Sequence, residues 1–202
     1  YVLYPFFLQR LVEQCGLEFD LVFSQHAISA VTAGRLKQSL GVPCVMNFLD
    51  YLTAFMETWP AYVIPKPAVG ALKRFEISLP NRYQADAVLT VSDTLADYFR
   101  ATGYPPERIH PIYFGFDAQL FPFRAAPPPT PPVVVMHGSL DQHHLQNIAV
   151  QAVATVARER PETMFRFVGH RTGTLEQFLQ RIVSAARQAC IETPGFGPYE
   201  KV

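Results

Sequence analysis

The sequence has no excess of charge of either sign, because its 17 Lys and Arg residues balance 17 Asp and Glu residues over 202 positions. A chain without a positive field has no sequence-wide means of holding nucleic acid, so we expect no nucleic-acid partner. None of its apolar runs reaches the roughly 18–20 residues of a membrane-spanning helix, and no basic segment with an apolar core opens the chain. The sequence therefore predicts a cytoplasmic protein without a signal peptide.

Cysteine is also scarce, and Cys15, Cys44 and Cys190 form no CxxC pair. An odd number of widely spaced cysteines gives no sign of a disulfide framework and favours reduced thiols. In addition, no G-x-G-x-x-G segment follows an apolar run, which argues against a Rossmann-type oxidoreductase. These absences therefore disfavour disulfide-rich secreted domains and dinucleotide-dependent enzymes.

Hydrophobic residues nevertheless make up 49% of the chain, which is enough to bury a core. Short apolar segments typical of buried strands alternate with longer segments whose apolar residues recur at helical spacing. This alternation predicts parallel sheets covered by helices, and two Rossmann-like domains are the simplest α/β architecture. The predicted strands are FDLVFS, VPCVMNF, ADAVLTVS, RIHPIYFG, VVVMH and TMFRFVGH.

Capping residues and prolines predict where the helices begin and end. Gly41 is predicted to end the helix AISAVTAGRLKQSL, and Ser92 to cap the helix DTLADYFRATG. Pro80 is predicted to end the helix ALKRFEISL at Leu79. Ile148 is expected on the buried face of the helix that follows VVVMH.

The stretch RAAPPPTPP, Arg124 to Pro132, holds five prolines and no apolar periodicity. A stiff polyproline-like linker is the favoured interpretation, and a surface loop within one domain is the alternative. The linker separates a first domain over residues 1–123 from a second domain over residues 133–202. Both domains are expected to be incomplete, because the chain begins inside an apolar segment and stops where a new element begins.

Several segments together resemble one family of enzymes. ADAVLTVSDTLADYFRATGYPPERIHPIYFGFDAQLFPF is similar to the middle of a family 4 retaining glycosyltransferase, in which an Ala-Asp pair opens a strand that ends in Val-Ser. VVVMHGSLDQHHLQNIAVQAVATVARERPETMFRFVG resembles the start of that family's second domain, and FDLVFSQHAISAVTAGRLKQSLGVPCVMNFLD the last part of its first. The resemblance implies the GT-B architecture, in which two Rossmann-like domains hold the acceptor and the donor respectively.

The resemblance also implies an activity: transfer of a sugar from a nucleotide-sugar donor to a hydroxyl acceptor, such as a glycan, lipid or small molecule, with retention of configuration. It implies no metal and no other cofactor, because cationic side chains and a helix dipole stabilise the leaving diphosphate in such enzymes. It is compatible with a peripheral membrane contact. The family's N-terminal glycine-rich loop and its Glu-x7-Glu region are expected to lie outside this chain.

The stretch VVVMHGSLDQHHLQN carries the candidate donor site. In the family an Arg and a Lys here neutralise the donor diphosphate, and their positions correspond to Ser139 and about His144. The resemblance, together with the backbone amides after the strand, implies a donor phosphate-binding set of Gly138, Ser139, His144 and Gly169. An ordinary strand-to-helix corner is the alternative. No metal ligand is assigned, because the adjacent His143 and His144 point in different directions on a helix.

The residues just after the strands of the first domain are the acceptor-side candidates, because ligands of open α/β sheets bind outside the carboxyl ends of the strands. Asp50 is the candidate catalytic residue and would orient an acceptor hydroxyl; an Asx-turn or a helix cap is the favoured alternative. The acceptor-side His of the family falls at Leu49. The other acceptor-side candidates are His26, Ser92 and Gly115, whose structural alternatives are a polar corner, a helix cap and a tight turn.

Three further predictions concern residues outside these sets. Arg74 and Glu76 are expected on a solvated helix face, and Asp117 is expected to cap the residues that follow it. The aromatic segment YLTAFMETWPAYVIP is typical of core, with a pocket for an acceptor or a membrane surface as the alternative.

The sequence therefore predicts a glycosyltransferase. A non-catalytic nucleotide- or sugar-binding module of the same fold is the alternative, and it is favoured by the loss of both phosphate cations at Ser139 and His144.

Overall fold

The computed structural model describes residues 3–59, 61–122, 130–140 and 147–197. The chain divides into two compact units, Tyr1–Gly115 and Phe116–Val202. Each unit has its own parallel sheet, of four and three strands respectively. This confirms the α/β class and the two Rossmann-like sheets that the strand–helix alternation predicts. Most of the predicted linker lies outside the described residues, so its role remains a prediction.

The first unit begins with a helix and then alternates strands and helices. Its strands pair in chain order, and all pairs are parallel. Right-handed crossovers that all run in one direction place their helices on one face of the sheet. In chain order the elements are α1 (Tyr4–Gln14), β1 (Val22–Gln25), α2 (His26–Leu40), β2 (Cys44–Phe48), α3 (Leu52–Phe55), a 3₁₀ turn (Met56–Thr58), α4 (Lys66–Tyr83), β3 (Ala87–Thr90), α5 (Asp93–Ala101), a second 3₁₀ turn (Pro106–Arg108) and β4 (Ile109–Pro111).

The core of the first unit lies between this sheet and its helices. Side chains of β2 alternate between the two faces, so that Cys44, Met46 and Phe48 are fully buried while their neighbours are half-exposed. The ring of Phe48 packs 4.6 Å from that of Phe99 on α5. Burial raises the pKa of Cys44 to about 11, so this thiol is a packing group and not a nucleophile.

The Ala-Asp pair that opens β3 has a structural role. Ala85 is fully buried. The Asp86 carboxylate accepts hydrogen bonds from the Cys44 amide at 2.7 Å and from the Lys37 ammonium at 2.5 Å. Asp86 therefore ties the starts of two neighbouring strands to α2.

The prediction that Pro80 ends its helix at Leu79 is wrong, because α4 continues to Tyr83. A proline removes one backbone donor from a helix, but Leu79 and Pro80 are both buried here. The packing of these side chains outweighs the loss of one hydrogen bond. The helix ends instead where Gln84 adopts a left-handed conformation with φ of 50°.

Two helix boundaries follow the prediction. Gly41 follows α2 with φ of 73°, and its amide donates to the Lys37 carbonyl, which is the left-handed helix end expected of glycine. Ser92 caps α5 by accepting a hydrogen bond from the Leu95 amide at 3.2 Å.

Gly34 of α2 lies where the ring of Tyr83 on α4 packs against it. A Cβ at position 34 would lie 2.1 Å from Tyr83 Cγ. Gly34→Ala is therefore expected to destabilise the protein by about 1–3 kcal/mol, because the methyl group would overlap Cβ as well as Cγ of Tyr83, and rotation of the ring alone cannot relieve that overlap. Gly70→Ala is the matched control in α4, since its Cβ would meet only Arg74 Nη1 at 3.9 Å, and we expect it to stabilise by up to about 1 kcal/mol. Urea denaturation measures both, and shifts of the same sign would contradict the prediction.

The second unit repeats the strand–helix alternation on a smaller scale. Its strands also pair in chain order and in parallel. Thr172 caps α7 by accepting a hydrogen bond from the Leu175 amide at 3.2 Å. The elements are β5 (Val133–Gly138), α6 (Asn147–Glu159), β6 (Met164–Gly169), α7 (Gly173–Ala185) and β7 (Cys190–Gly195), of which β7 was not among the predicted strands.

The core of the second unit is formed by aromatic side chains of β6 and α7. Phe167 and Phe178 make an edge-to-face contact at 5.6 Å. On α6 the buried residues are Val150, Ala154 and Ala157. The prediction for Ile148 is wrong, since its side chain is 74% exposed. None of the helices in the described part of the chain combines the length and the apolar character that crossing a membrane requires.

Candidate functional site

The first unit collects predicted site residues at the carboxyl edge of its sheet. His26, Asp50 and Ser92 follow β1, β2 and β3, which are neighbours in the sheet. Since the strands are parallel, their carboxyl ends meet at one edge. The structure therefore places these three residues along the same edge, as the strand order predicts.

His26 is the most constrained of them. It is the first residue of α2 and has φ of 64°, a left-handed conformation that is uncommon for a residue other than glycine. Its Nδ1 atom is buried and has no hydrogen-bond partner within the described residues. The side chain lines a cavity of about 510 Å³ together with Gln25, Leu52, Tyr4, Leu8, Ile28 and Ser29. Backbone strain of this kind is often found at functional sites.

Asp50 is exposed in the bend after β2. The helix-cap alternative is not what the structure shows, because Tyr51 is the N-cap residue of α3 and no side chain caps that helix locally. A catalytic role for Asp50 stays a prediction.

The loop that carries Asp50 is held by Glu76. This side chain is only 1% exposed, so the expectation of a solvated face is wrong for Glu76, whereas Arg74 is exposed as expected. Glu76 Oε1 accepts a hydrogen bond from the Leu52 amide at 3.1 Å, and Oε2 accepts one from the Thr53 amide at 2.7 Å. Burial raises the pKa of Glu76, and the nearby charge of Asp50 acts in the same direction. A carboxylate from α4 thus supplies the acceptors that the first turn of α3 lacks.

Tyr51 provides a second attachment between the same loop and α4. Its hydroxyl donates to the Lys73 carbonyl at 3.2 Å, and its ring packs 5.2 Å from that of Tyr98 on α5. The Lys73 ammonium lies 5.5 Å from the centre of the Tyr51 ring and pairs with Glu57 at 2.6 Å. Burial raises the pKa of Tyr51 to about 12, so the phenol stays protonated at neutral pH. The loop after β2 is therefore pre-organised.

The structure gives Ser92 and Asp117 structural roles and reveals no role for Gly115. Ser92 is a helix cap, which was its structural alternative. Asp117 accepts hydrogen bonds from the amides of Gln119 and Leu120, at 2.8 and 3.1 Å, and this confirms its predicted capping role. The tight turn proposed for Gly115 is wrong, because the backbone at this residue forms neither a turn nor a bend, and a Cβ there would meet nothing within 4 Å.

The second unit contains a larger cleft of about 680 Å³. It extends to the carboxyl ends of all three strands and includes three of the predicted donor residues: Gly138 at the end of β5, Ser139 directly after it, and Gly169 at the end of β6. The other lining residues are Phe121, Val135, His137, Val168, His170, Phe196 and Gly197. A volume within the roughly 300–1,000 Å³ of small-molecule sites is large enough for a nucleotide.

A pair of aromatic rings forms one wall of this cleft. His170 follows β6 and Phe196 follows β7, and their rings are parallel to within 1° with centres 4.7 Å apart. Phe196 is 74% exposed. An exposed flat ring of this kind can stack against another planar group. Neither residue was assigned a role from the sequence, because β7 was not predicted and the two positions are distant in the chain.

Gly169 allows the ends of β5 and β6 to approach closely. A Cβ at position 169 would lie 2.3 Å from the Gly138 carbonyl oxygen and 3.1 Å from Leu140 Cδ1. Gly138 itself has φ of 132°, a conformation that side chains disfavour. Both glycines are thus required by the backbone at the mouth of the cleft.

The charge of the cleft differs from the pattern expected of a diphosphate site. No Lys or Arg is among the described residues that line it, and the ionisable side chains there are His137 and His170. His144, the predicted replacement for a cation, lies outside the described residues. Within the described ranges no three His, Cys, Asp or Glu side chains gather as a metal site would require. Metal independence remains a prediction.

Comparison with known proteins assigns the fold. The family model for Glycosyltransferase Family 4 matches residues 1–120. Anabaena Alr3699/HepE in complex with UDP is similar, with a TM-score of 0.68 and 20% identity over 96% of this chain and 52% of that chain. Sucrose-phosphate synthase from Thermosynechococcus elongatus has a TM-score of 0.64 and 14% identity over 98% of this chain and 51% of that chain. The chain therefore spans about half the length of these solved structures. No curated protein matches it significantly.

Proposed function

The chain belongs to glycosyltransferase family 4, and we propose that it acts in the transfer of a sugar from a nucleotide-sugar donor to a hydroxyl acceptor with retention of configuration. The observation that carries this proposal is the cleft at the carboxyl ends of β5, β6 and β7. In open α/β sheets this edge is where nucleotides bind. We assign the second unit to the donor and the first unit to the acceptor, and we place the protein in the cytoplasm.

The ring pair is the proposed contact for the nucleotide base. Phe196 offers an exposed flat face beside His170. Any nucleotide base can stack on such a face, because stacking does not depend on which polar groups the base carries. Anabaena Alr3699/HepE has been crystallised with UDP-glucose. This supports a uridine nucleotide as the first donor to test.

The diphosphate is proposed to lie against the backbone after β5. Amide donors at Gly138 and Ser139 need no particular side chain to hold an anion. The imidazoles of His137 and His170 line the same cleft, and together with His144 they would supply the positive charge that Arg and Lys provide elsewhere in the family. An imidazole carries positive charge only when it is protonated.

The proposed reaction breaks the bond between the anomeric carbon and the terminal phosphate oxygen of the donor. The nucleoside diphosphate leaves with the electron pair, and an acceptor hydroxyl oxygen forms the new bond to the anomeric carbon on the face from which the diphosphate leaves, so that the configuration is retained. The hydroxyl proton must be removed, and we propose the exposed carboxylate of Asp50 as the group that orients the hydroxyl and takes the proton. His26 is the second proposed acceptor-side contact.

The donor assignment predicts saturable binding of UDP, and not of GDP or ADP, to the full-length protein. His170→Ala is expected to weaken that binding by about 1 kcal/mol, since it removes the ring that stacks on Phe196 and holds it in place. Isothermal titration calorimetry measures the dissociation constants of UDP for the unchanged protein and for the variant. His110→Ala is the matched control, because His110 is an exposed histidine of β4 in the other unit, and it should leave the affinity unchanged.

The outcome also separates the proposal from its alternative. His144→Ala should weaken UDP binding if that imidazole contacts the diphosphate. UDP binding without turnover of any nucleotide sugar would favour the non-catalytic binding module, which the absence of Lys and Arg from the described cleft lining supports. Failure of all three nucleotides to bind would overturn the donor assignment.

A further inference from the structure

A small cavity lies beside the loop that carries Asp50. It has a volume of about 220 Å³ and is lined by Met56, Glu57, Trp59, Ile64, Lys66, Val69 and Gly70. These residues belong to the 3₁₀ turn after α3, the following loop and the first turns of α4. None of them was assigned a role individually, but four lie in the aromatic segment YLTAFMETWPAYVIP, for which an acceptor pocket is the alternative interpretation.

The lining combines three kinds of surface. Met56 and Val69 form a buried apolar floor, at 8% and 3% exposure. Trp59 is a partly exposed aromatic wall, at 40%. Glu57 and Lys66, which carry a carboxylate and an ammonium group, are also among the lining residues. An aromatic ring beside a hydrogen-bond acceptor and a hydrogen-bond donor suits a sugar ring. A sugar ring has an apolar C–H face, which packs on the aromatic ring, and hydroxyl groups around its edge, which both donate and accept hydrogen bonds.

The size of the cavity limits what it holds. A volume of 220 Å³ is below the roughly 300–1,000 Å³ of sites for drug-sized ligands. It is sufficient for a single ring and too small for a nucleotide sugar. The ligand class is therefore a monosaccharide unit and not the donor.

The cavity is connected to the loop after β2 by a chain of contacts. Glu57 pairs with Lys73 at 2.6 Å, and the same ammonium lies 5.5 Å from the centre of the Tyr51 ring. Tyr51 directly follows Asp50 in the sequence. A ring held at Trp59 is thus linked through Lys73 to the segment that we assign to the acceptor.

We infer that this cavity is a saccharide subsite, in which a sugar ring of the acceptor packs on Trp59 and hydrogen-bonds to Glu57 and Lys66. The inference rests on the proposed function and narrows it, since it makes the acceptor a glycan or a glycoside. Affinity for a single ring should be weak, with a dissociation constant on the order of 1 mM.

Tryptophan fluorescence of the full-length protein tests the inference, because Trp59 is the only tryptophan of these 202 residues. The Trp59→Phe variant is measured in parallel, so that the emission of Trp59 is obtained by difference. The probes are methyl glucosides, galactosides and mannosides, with glycerol as the non-cyclic control. We expect a saturable emission change with at least one glycoside and none with glycerol.

The variants Trp59→Ala and Tyr62→Ala provide the second measurement. Tyr62 is an aromatic residue of the same segment that is 90% exposed and does not line the cavity. Calorimetric titration of the glycoside should show binding weakened about tenfold or more in Trp59→Ala, and unchanged in Tyr62→Ala. Equal affinities in both variants would overturn the inference.

The remaining outcomes separate this inference from the proposed function. If UDP binds but no glycoside changes the Trp59 emission, the subsite is wrong while the donor assignment stands. A shift of Trp59 emission with anionic phospholipid vesicles, in place of glycosides, would show a membrane contact and would also overturn the subsite. If glycosides bind and UDP does not, the donor assignment fails and a sugar-binding module remains.

Discussion

Glu76→Ala is expected to lower the free energy of unfolding by about 2–4 kcal/mol, because it leaves two backbone donors without acceptors. The donors are the amides of Leu52 and Thr53, and the Thr53 residue is only 3% exposed. The substitution should also release the loop that carries Asp50. Urea denaturation of the full-length protein measures the stability, and the acceptor KM of any transfer reaction reports on the loop.

Glu57→Ala is the matched control for the stability part of this prediction only, because Glu57 belongs to the proposed saccharide subsite and its loss would itself change the acceptor KM. Glu57 is a glutamate of the same region that pairs with Lys73 at 2.6 Å, but its side chain is 58% exposed. Exposed ion pairs contribute only about 0–1 kcal/mol. A Glu76→Ala variant that unfolds at the same urea concentration as Glu57→Ala would show that the buried hydrogen bonds do not hold the loop.

Glu76→Gln adds a pH dependence to the same test. Burial raises the pKa of Glu76 above its ordinary value of 4.5, so the folded state keeps this proton to a higher pH than the unfolded state does. The associated stability is fully present below pH 4.5 and is lost as the pH rises through the pKa of the folded state. Glutamine does not ionise and still accepts one of the two hydrogen bonds. The free energy of unfolding is measured against pH for the unchanged protein and for Glu76→Gln. If the difference between the two stays constant as the pH rises above 4.5, the raised pKa of Glu76 is contradicted.

Gly169→Ala is expected to destabilise the second unit by about 3 kcal/mol and to abolish nucleotide binding, because two backbone segments would have to separate. The new Cβ would lie 2.3 Å from the Gly138 carbonyl oxygen. A side chain can rotate away from such an overlap, but a backbone carbonyl in a paired strand cannot move without breaking the sheet. Thermal denaturation and UDP titration measure the two effects.

Gly173→Ala is the control for the effect of an added methyl group close by in the sequence. Gly173 begins α7, and a Cβ there would meet nothing within 4 Å. Its stability should remain within about 0.5 kcal/mol of the wild type. If both variants denature at the wild-type temperature, the close approach of β5 and β6 is not required for folding.

Local signals in the sequence predicted much of the fold. Gly41 and Ser92 end and begin their helices as their residue types indicate, since the left-handed conformation and the capping hydrogen bond involve only neighbouring residues. The spacing of apolar residues likewise predicted the individual strands and helices, because it depends on residues close together in the chain. The alternation of strands and helices then predicted parallel sheets. Pro80 and Ile148 were predicted wrongly, because their burial depends on what packs against them.

The candidate sites divide in the same way. The sequence indicated that His26 and Asp50 follow strands of the first domain and that Gly138 and Gly169 lie where strands of the second domain end, and parallel pairing puts the residues of each sheet at one edge of that sheet. A signal for Glu76 was present, since this one charged residue shares the helix stripe of Val69, Leu79 and Pro80. The burial of Glu76 was not predicted from this signal, because a single charged residue on an apolar helix face does not indicate which group it binds.

By itself the sequence determined the fold class, the order of six strands and of the long helices between them, several helix ends and the resemblance to family 4 glycosyltransferases. Only the tertiary structure decided that Glu76 binds a loop 24 residues away in the chain, that His170 stacks on Phe196, and that Gly169 must lack a side chain. The physical reason is that periodicity and capping arise from contacts within a few residues. Burial, ring stacking and backbone approach arise from contacts that exist only once distant segments have packed.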